Sequence, residues 1–283
     1  MTMKYSRLVV CYLITVIISA CSQKKEIFSD NLKIIALSPS IVETIFFLGK
    51  GDNIIGTSSF CNYPEKAKNI LVVANISDIN LELTLRLKPD MVFLMPSQKN
   101  IADKLALLNI KSATISQESL NDILNSFLTI GKKINSEKKA RFIYDSLRTV
   151  LDSYNKPSNN KKVLISVGRE YGTEVSYIYS NGETGFLYDI ILLLGYSNAL
   201  QTKIPYPKIG AETIMSLDPD IIIDLVSSNI DTEEKDLIND WKFFSNSKAW
   251  KNNRIFIFKG DYTTIPGPRI FDFIRDLNEK GSD

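Results

Sequence analysis

The segment LELTLRLKPDMV, residues 81–92, decides the fold, because AETIMSLDPDII at residues 211–222 repeats its pattern. Each segment is apolar at helical spacing, is broken by Pro-Asp, and continues as a short apolar strand of the buried type. In both of them a Glu precedes the Pro by seven residues. A helix–turn–strand unit that occurs twice in one chain predicts two similar α/β lobes.

Strands and helices alternate around each repeat, as they do in parallel sheets that are covered by helices. In the first half the predicted strands are 33–37, 53–56, 91–94 and 113–115, and the predicted helices are 41–48, 81–87 and 101–108. In the second half the predicted strands are 162–167, 221–226 and 254–258, and the predicted helices are 185–194, 211–217 and 268–277. Ser40 and Glu43 form a capping-box pattern at the first helix, and Gly49 is suited to end it.

Between the two repeats, residues 135–157 predict one long amphipathic helix. Its apolar stripe consists of Ala140, Ile143, Tyr144, Leu147, Val150 and Leu151. About twenty helical residues span about 30 Å, which is long enough to join two lobes. The predicted fold is therefore α/β, with two similar lobes at 32–134 and 158–283. Their central sheets are mainly parallel, one long α-helix joins them, and the ligand cleft lies between them.

Residues 1–20 have the layout of a secretory signal peptide, with Lys4 and Arg7, a short apolar run and small residues before Cys21. The apolar run is too short to span a bilayer. A Cys directly after the cleavage site predicts a bacterial lipoprotein, in which acyl chains on Cys21 anchor the protein to a membrane. Residues 21–31 would form a flexible spacer. An uncleaved anchor, or ordinary cleavage beside an incidental Cys, is the alternative.

Composition excludes several classes of function. The chain contains no His, which rules out Ser-His-Asp triads, Cys-His nucleophiles and His-ligated zinc or haem. Of the 34 basic residues, Lys4 and Arg7 leave with the signal, and the remaining 32 balance 32 acidic residues. We therefore expect no nucleic-acid partner. Of the three cysteines, Cys11 would leave with the signal peptide and Cys21 would carry lipid. Cys61 would then have no partner, so no intramolecular disulfide is expected.

Sequence motifs for bound groups are also absent. No phosphate loop, dinucleotide fingerprint or calcium loop occurs. We therefore expect no catalytic residues, no resident metal and no cofactor; any metal would belong to the ligand.

Six pieces of sequence occur in a characteristic order between about residue 32 and the C-terminus. They are Ile34–Ser40 with Glu43, Gly56–Pro64, Asn80–Asp90, Ser180–Glu183, Ile204–Pro207 followed by Glu212, and Pro268–Ile270. Behind a lipoprotein signal, this order resembles the periplasmic substrate-binding proteins of ABC importers that carry metal chelates and cobalamin. In that class two lobes are bridged by one rigid helix. Ser59–Pro64 is similar to the cobalamin-binding branch.

The resemblance implies a set of ligand-binding residues. Phe60, Tyr63, Tyr179 and Tyr206 would line the cleft, with Asp261 and Tyr262 near its edge. A corrin is a large amphipathic disc with a rim of amides, so aromatic walls supply contact area and a few polar groups set its orientation. Ser38 would present a helix N-terminus to ligand oxygens. The alternatives are packing for each tyrosine and simple capping for Ser38.

Three positions depart from the cobalamin-binding pattern. Ile76 stands where some members place Trp, Met95 where an aromatic residue follows a strand, and Ile265-Pro266 where a ligand-facing Arg is expected. A cobalamin or related corrinoid is the first interpretation of the ligand, and a ferric siderophore or another chelate is the alternative. Haem is disfavoured because His is absent, although ligation by Tyr stays open.

Glu82 and Glu212 are the predicted transporter-docking residues. In the resembled family one exposed Glu per lobe meets Arg residues of the permease, and such rim charges guide encounter and register. Alternatively, each Glu lies in the first turn of its helix and offsets the macrodipole. The expected protein is a monomeric exported lipoprotein at the periplasmic or outer face of the membrane. It would deliver a small-molecule chelate to a permease and ATPase and perform no chemistry.

Two other classes of protein are weighed against this interpretation. A membrane-anchored enzyme would need convergent carboxylates, and Asp90, Asp220 and Asp224 are only loosely placed for that role. An adhesion or assembly module would bind a macromolecule and leave the cleft empty. A single bridging helix further predicts a small motion of the lobes on ligand binding and release.

Overall fold

The computed structural model describes residues 32–75 and 78–281 of the 283-residue chain. The predicted signal peptide, the lipidation site Cys21, the spacer and Ile76 lie outside the described residues. Residues 32–281 belong to one compact unit. Within the described residues, no helix combines the length and the apolar character that a membrane span requires.

The N-terminal lobe is built around a parallel sheet with the strand order β3-β2-β1-β4-β5. Its strands are β1 Ile34–Ala36, β2 Ile54–Ser58, β3 Val72–Ala74, β4 Met91–Leu94 and β5 Ser112–Thr114. Its helices are α1 Pro39–Phe47, α2 Leu81–Leu87 and α3 Lys99–Leu107. Strands and helices alternate as the sequence predicts, and β3 is an addition that the sequence analysis did not include.

The C-terminal lobe contains a mixed sheet with the strand order β11-β10-β6-β7-β9, and β8 pairs with β6. Its strands are β6 Lys162–Gly168, β7 Tyr177–Ser180, β8 Ser197–Asn198, β9 Lys208–Gly210, β10 Ile221–Val226 and β11 Ile255–Lys259. Its helices are α6 Gly185–Leu193, α7 Ala211–Leu217, α8 Glu234–Asn239, α9 Lys248–Lys251 and α10 Ile270–Gly281. The pairs β6–β10 and β10–β11 are parallel, whereas β7 runs antiparallel to both β6 and β9.

The sequence repeat corresponds to a structural repeat. Helices α2 and α7 both end at a left-handed residue, Lys88 with φ 51° and Asp218 with φ 41°, before the Pro-Asp pair. The next strand then pairs in parallel with the first strand of its own lobe, β4 with β1 and β10 with β6. The predicted duplication of an α/β unit is therefore confirmed.

Two helices lie between the lobes. Helix α5, Glu137–Tyr154, is the predicted long helix, and it packs against helix α4, Leu120–Lys133. The sequence-based boundaries included residues 120–133 in the N-terminal lobe, but no helix was predicted there. A three-residue connection makes this pair an antiparallel hairpin, and Gly131 allows it to pack closely against Ala140.

The hairpin touches both lobes. The backbone N–H of Leu120 donates to Asp189 in α6, whereas α4 also packs on α1. Helix α5 begins where Ser136 Oγ donates to the carbonyl of Leu48, and after its end Lys156 N donates to the carbonyl of Leu193. The chain crosses between the lobes along α5, and α4 supports it.

Each lobe has an apolar core of its own. In the N-terminal lobe Ile35, Val92 and Leu94 of the sheet pack with Ile101 and Leu105 of α3. In the C-terminal lobe sheet residues such as Leu164 and Ile222 pack around Trp241, whose side chain is fully buried.

Candidate functional site

A cleft lies where the carboxyl ends of strands from the two lobes meet. Pro39 and Phe60 follow β1 and β2, while Ser228 and Asp261 follow β10 and β11. Parallel strands end at the same edge of a sheet, and ligands of open α/β sheets bind outside that edge. The topology therefore places a binding site between the lobes.

The cleft has a volume of about 450 Å³. From the N-terminal lobe it is lined by Pro39, Glu43, Phe60, Asn62, Tyr63, Glu65 and Lys68. From the C-terminal lobe it is lined by Ser228, Gly260, Asp261, Ile265 and Arg269. Of the predicted ligand-binding residues, the structure brings Phe60, Tyr63 and Asp261 together here.

An ion pair joins the lobes inside the cleft. Arg269 Nε donates to Glu43 Oε2 at 2.9 Å, and Arg269 Nη2 donates to Glu43 Oε1 at 2.6 Å. The Glu43 side chain is only 2% exposed and that of Arg269 is 20% exposed. The Tyr63 ring stacks on the same guanidinium, with its centroid 4.0 Å from Cζ. Bidentate pairing and stacking together hold Arg269 in one position.

The predicted capping role of Ser40 and Glu43 is wrong. Helix α1 starts at Pro39 with Ser38 as its N-cap, and no side-chain cap hydrogen bond is formed. The Glu43 carboxylate pairs with Arg269 of the other lobe instead. Burial raises the pKa of the Glu43 carboxyl above its ordinary value, against the lowering effect of the hydrogen bonds and charge of Arg269. Gly49, with φ 79°, follows the end of the helix as predicted.

Asp261 is held at the cleft by neutral donors. Ser227 Oγ, Ser228 Oγ and the backbone N–H of Ser228 donate to its Oδ1 at 3.2–3.4 Å. Gly260, with φ 136°, lets the chain turn from β11 into the cleft. The Asp261 carboxylate is thus fixed by a turn and two hydroxyl groups, and residues 32–75 and 78–281 supply no salt bridge to it.

The two aromatic residues of the cleft present large open surfaces. Phe60 is 52% exposed and Tyr63 is 49% exposed, although both are large apolar side chains. Between them Cys61 is buried, and its Sγ lies 3.3 Å from Ser58 Oγ. Burial of Cys61 anchors the loop, whereas the side chains of its neighbours are exposed to the cleft.

Four predicted ligand residues are not among those that line the cleft. Ser38 is buried, and its Oγ lies 2.9 Å from Ser40 Oγ. Tyr206 is 51% exposed in the loop before β9. Tyr262 donates to Asp276 Oδ2 at 3.1 Å and contacts Phe273 of α10 edge-on, so it packs within its own lobe.

Tyr179 lies on an exposed face of the β7–β9 hairpin. It pairs across the strands with Lys208 and contacts Tyr177 at 6.1 Å between ring centroids. Lys208 Nζ lies 3.6 Å from the centre of the Tyr177 ring. Ile178 and Ile209 point the other way, into the core. Ligand contact by Tyr179 or Tyr206 stays a prediction.

Glu82 and Glu212 occupy equivalent exposed positions. Each lies in the first turn of its helix, α2 or α7. Helix α2 follows the connection after β3, and α7 directly follows β9. Glu82 pairs with Arg86 at 2.8 Å. These positions suit both docking and compensation of the helix dipole.

The carboxylates that an enzyme would need have structural roles. Asp90 Oδ2 accepts from the backbone N–H of Lys33 at 2.8 Å, and Asp220 Oδ2 accepts from that of Lys162 at 2.8 Å. Both bonds lie at the beginning of the lobe's first strand, the edge opposite the cleft. Asp224 is buried in an ion pair with Arg169 at 2.8 Å.

Sequence reasoning missed the pairing of Glu43 with Arg269, although both residues lie in the quoted motifs. Two local signals point to it. Glu43 is the single charged residue in the otherwise apolar or hydroxyl-bearing α1, PSIVETIFF. Arg269 directly precedes α10, and a cation at a helix N-terminus is unfavourable without compensation.

Comparison with known proteins agrees with this geometry. The family described as "Periplasmic binding protein" matches residues 34–262. The "Uncharacterized ABC transporter substrate-binding lipoprotein YvrC" of Bacillus subtilis is 27% identical over 271 residues, covering 92% of this chain and 83% of that protein. A vitamin B12-binding protein of Vibrio parahaemolyticus is 23% identical over 261 residues, covering 87% and 88%.

A solved structure shows the same fold. It is described as a possible iron-binding, periplasmic solute-binding protein of Staphylococcus epidermidis and superimposes with a TM-score of 0.72 at 25% identity. The match covers 89% of this chain and 100% of that chain. With two lobes, an interlobe cleft and a family match across most of its length, this chain belongs to the periplasmic binding protein family, whose members bind solutes for transport and are not enzymes.

Proposed function

We propose that this protein is the solute-binding component of an ABC importer and captures cobalamin or a related corrinoid. The observation that carries the proposal is a cleft lined by both lobes, with two half-exposed aromatic rings on one wall and fixed polar groups on the other. Such a cleft holds a ligand by contact with each lobe, so the ligand and the lobe arrangement stabilise each other.

The chemistry of the walls suits a corrinoid. Phe60 and Tyr63 offer flat apolar area of the kind that packs against a large macrocycle. Asn62 and Ser228 line the same space and can exchange hydrogen bonds with amides. A corrinoid carries both features at once, a flat macrocycle and a rim of amide side chains, so each wall has a matching part of the ligand.

The relatives support a metal-containing ligand but differ in which one. One binds vitamin B12 and another structure is described as possibly iron-binding. A ferric siderophore or other iron chelate is therefore the second candidate. Haem is less favoured, because the chain has no His.

Calorimetric titration of the full-length protein, purified in detergent, tests the ligand. Cobalamin, cobinamide, a ferric hydroxamate siderophore and haem are titrated separately. We expect saturable one-to-one binding of a corrinoid, and Phe60→Ala is expected to weaken it by about tenfold or more, since it removes aromatic contact area. Phe142→Ala, which changes a 72%-exposed ring on α5 away from the cleft, is the matched control. Binding of the siderophore alone would replace the corrinoid by the second candidate.

The proposal also includes anchoring and docking. We expect Cys21 to carry lipid and the protein to be a monomer in the cell envelope. Glu82 and Glu212 would contact the permease, one from each lobe. Because both carboxylates are exposed and in equivalent positions, a two-fold transporter would meet a matching pair of charges.

Charge reversal tests docking separately from ligand binding. In vesicles that contain the cognate permease and ATPase, Glu82→Arg with Glu212→Arg should lower uptake by at least about tenfold, because attractive pairs become repulsive. Ligand affinity should not change. Glu174→Arg, at another exposed position, serves as the control. Unchanged uptake by the double variant would show that the two carboxylates only compensate their helix dipoles.

A further inference from the structure

The cations of the cleft are already neutralised by carboxylates. Both Nε and Nη2 of Arg269 donate to Glu43, whose side chain is 2% exposed, against 20% for that of Arg269. Lys68 lies 2.7 Å from Glu65 at the rim. An anionic group of a ligand would have to share either cation with a carboxylate that is already in place, and displacing the buried Glu43 would be costly.

The remaining charge of the cleft is negative. Asp261 is held by two hydroxyls and one backbone N–H, and within the described residues it makes no salt bridge. The lining residues include three carboxylates, Glu43, Glu65 and Asp261, against two cations, Lys68 and Arg269, which leaves a net charge of −1. Asp261 lies near both members of the ion pair. Its charge adds to the raised pKa of Glu43, which burial dominates. Burial lowers the pKa of Arg269, but the hydrogen bonds and charge of Glu43, together with the charge of Asp261, raise it above its ordinary value.

The neutralised arginine still offers a hydrogen-bond donor. Its third guanidinium nitrogen, Nη1, makes no hydrogen bond among the described residues, and Arg269 lines the cleft. A neutral oxygen acceptor such as an amide carbonyl can accept from it without disturbing Glu43. The Asp261 carboxylate can in turn accept from an amide N–H₂.

We propose that the cleft selects its ligand by charge, taking chelates with a neutral or cationic, amide-bearing rim and rejecting those with a carboxylate-bearing rim. The inference rests on the proposed function and extends it from a kind of ligand to the peripheral groups of that ligand. Asp261 repels the carboxylates of such a ligand. Glu43 neutralises Arg269, so the guanidinium does not attract them.

A pair of corrins that differ in the charge of their peripheral groups provides the test. Cobinamide has amides around its rim, whereas cobyrinic acid has carboxylates at the corresponding positions. In calorimetry on the full-length protein, cobinamide is expected to bind at least about tenfold more tightly than cobyrinic acid, because like charges oppose each other in a partly desolvated cleft. The difference should shrink at high salt.

Two variants test whether residues of the cleft cause the difference in affinity between the two corrins. Asp261→Asn and Glu43→Gln should each narrow the ratio of the two affinities by about tenfold, the first by removing repulsion and the second by exposing the charge of Arg269. Asp103→Asn, which makes the same change of net charge on α3 outside the cleft, should leave the ratio unchanged. Thermal unfolding of each variant verifies that it is folded. Because Asp261 is only partly buried, its variant remains informative if Glu43→Gln does not fold.

The outcomes separate this inference from the proposed function. Equal binding of the two corrins, or a ratio that neither cleft variant changes, overturns selection by charge and leaves a corrinoid-binding protein. Binding of neither corrin overturns the corrinoid assignment itself, and the charge inference with it.

Discussion

At the scale of single residues, chemistry that looks local in the sequence is completed by a distant partner. Glu43 is spaced as a helix cap from Ser40, yet its carboxylate pairs with Arg269, 226 residues away. The capping pattern failed because a buried carboxylate gains more from a bidentate guanidinium than from one backbone N–H. Phe60, Tyr63 and Asp261 were placed near the ligand by resemblance, and the fold brings all three to one cleft.

Tyr262 illustrates a predicted binding residue that has a packing role. Its hydroxyl donates to Asp276, and burial, with the charge of Asp276, raises the pKa of Tyr262 to about 12. Tyr262→Phe should lower the free energy of unfolding by about 1 kcal/mol and leave ligand affinity unchanged.

The pH dependence of that loss has a defined sign. The folded state holds the Tyr262 proton more tightly than the unfolded state. The stabilisation that the Tyr262 hydroxyl provides is therefore fully present below pH 10 and is lost as the pH rises to about 12. Urea unfolding of both proteins below pH 10, and again between pH 10 and about 12, should show the difference narrowing. A loss of ligand affinity in Tyr262→Phe would show that this residue contributes to ligand binding.

At the scale of elements, both copies of the repeat form the same hydrogen bond to the first strand of their lobe. In each lobe the Asp after Pro ties the helix–turn–strand unit to the start of the first strand, Asp90 to Lys33 and Asp220 to Lys162. Asp90→Ala and Asp220→Ala should therefore destabilise the protein by similar amounts, about 1 kcal/mol each. Chemical denaturation measures both, with Asp103→Ala, at an exposed position of α3, as the control. A large loss in one lobe alone would contradict the equivalence.

The helical hairpin depends on a close approach. A Cβ at Gly131 would overlap that of Ala140. Gly131→Ala should destabilise the protein by about 1–3 kcal/mol through overpacking, more than the gain of about 1 kcal/mol in helix propensity. Gly168→Ala is the control, because its Cβ would meet nothing within 4 Å. An increase in melting temperature for Gly131→Ala would show that α4 and α5 separate easily.

Elements differed in how well the sequence predicted them. Helix α7 and strand β10 occupy the predicted residues, because apolar runs bounded by Pro and Gly carry their own start and stop signals. Strands β3, β7 and β9 were missed, since they are only three or four residues long and their pairing partners decide their conformation. Helix α4 was not predicted, and its contacts with both lobes depend on how distant helices pack, which the local pattern does not show.

At the scale of the whole molecule, contacts at several points restrain the lobes. The Glu43–Arg269 pair and the hairpin both connect them, and Gly267 lies so close to α1 that an added Cβ would be 3.3 Å from Ser40 Cα. Ligand binding should therefore change the radius of gyration by less than about 1 Å, as in other pre-organised binding proteins. Small-angle X-ray scattering with and without saturating ligand measures this. Compaction by several ångströms would indicate a wide hinge closure instead.

The class of protein was indicated by the resemblance of several motifs to a known family, and the sequence by itself determined the duplicated α/β unit and the position of the long helix. These depend on periodicity and chain breakers, which act over a few residues and are therefore readable locally. Tertiary structure alone decided the Glu43–Arg269 pair, the place of α4 and the packing role of Tyr262. Each of these depends on groups far apart in the chain, and only the folded backbone sets the distance and burial that give such contacts their energy.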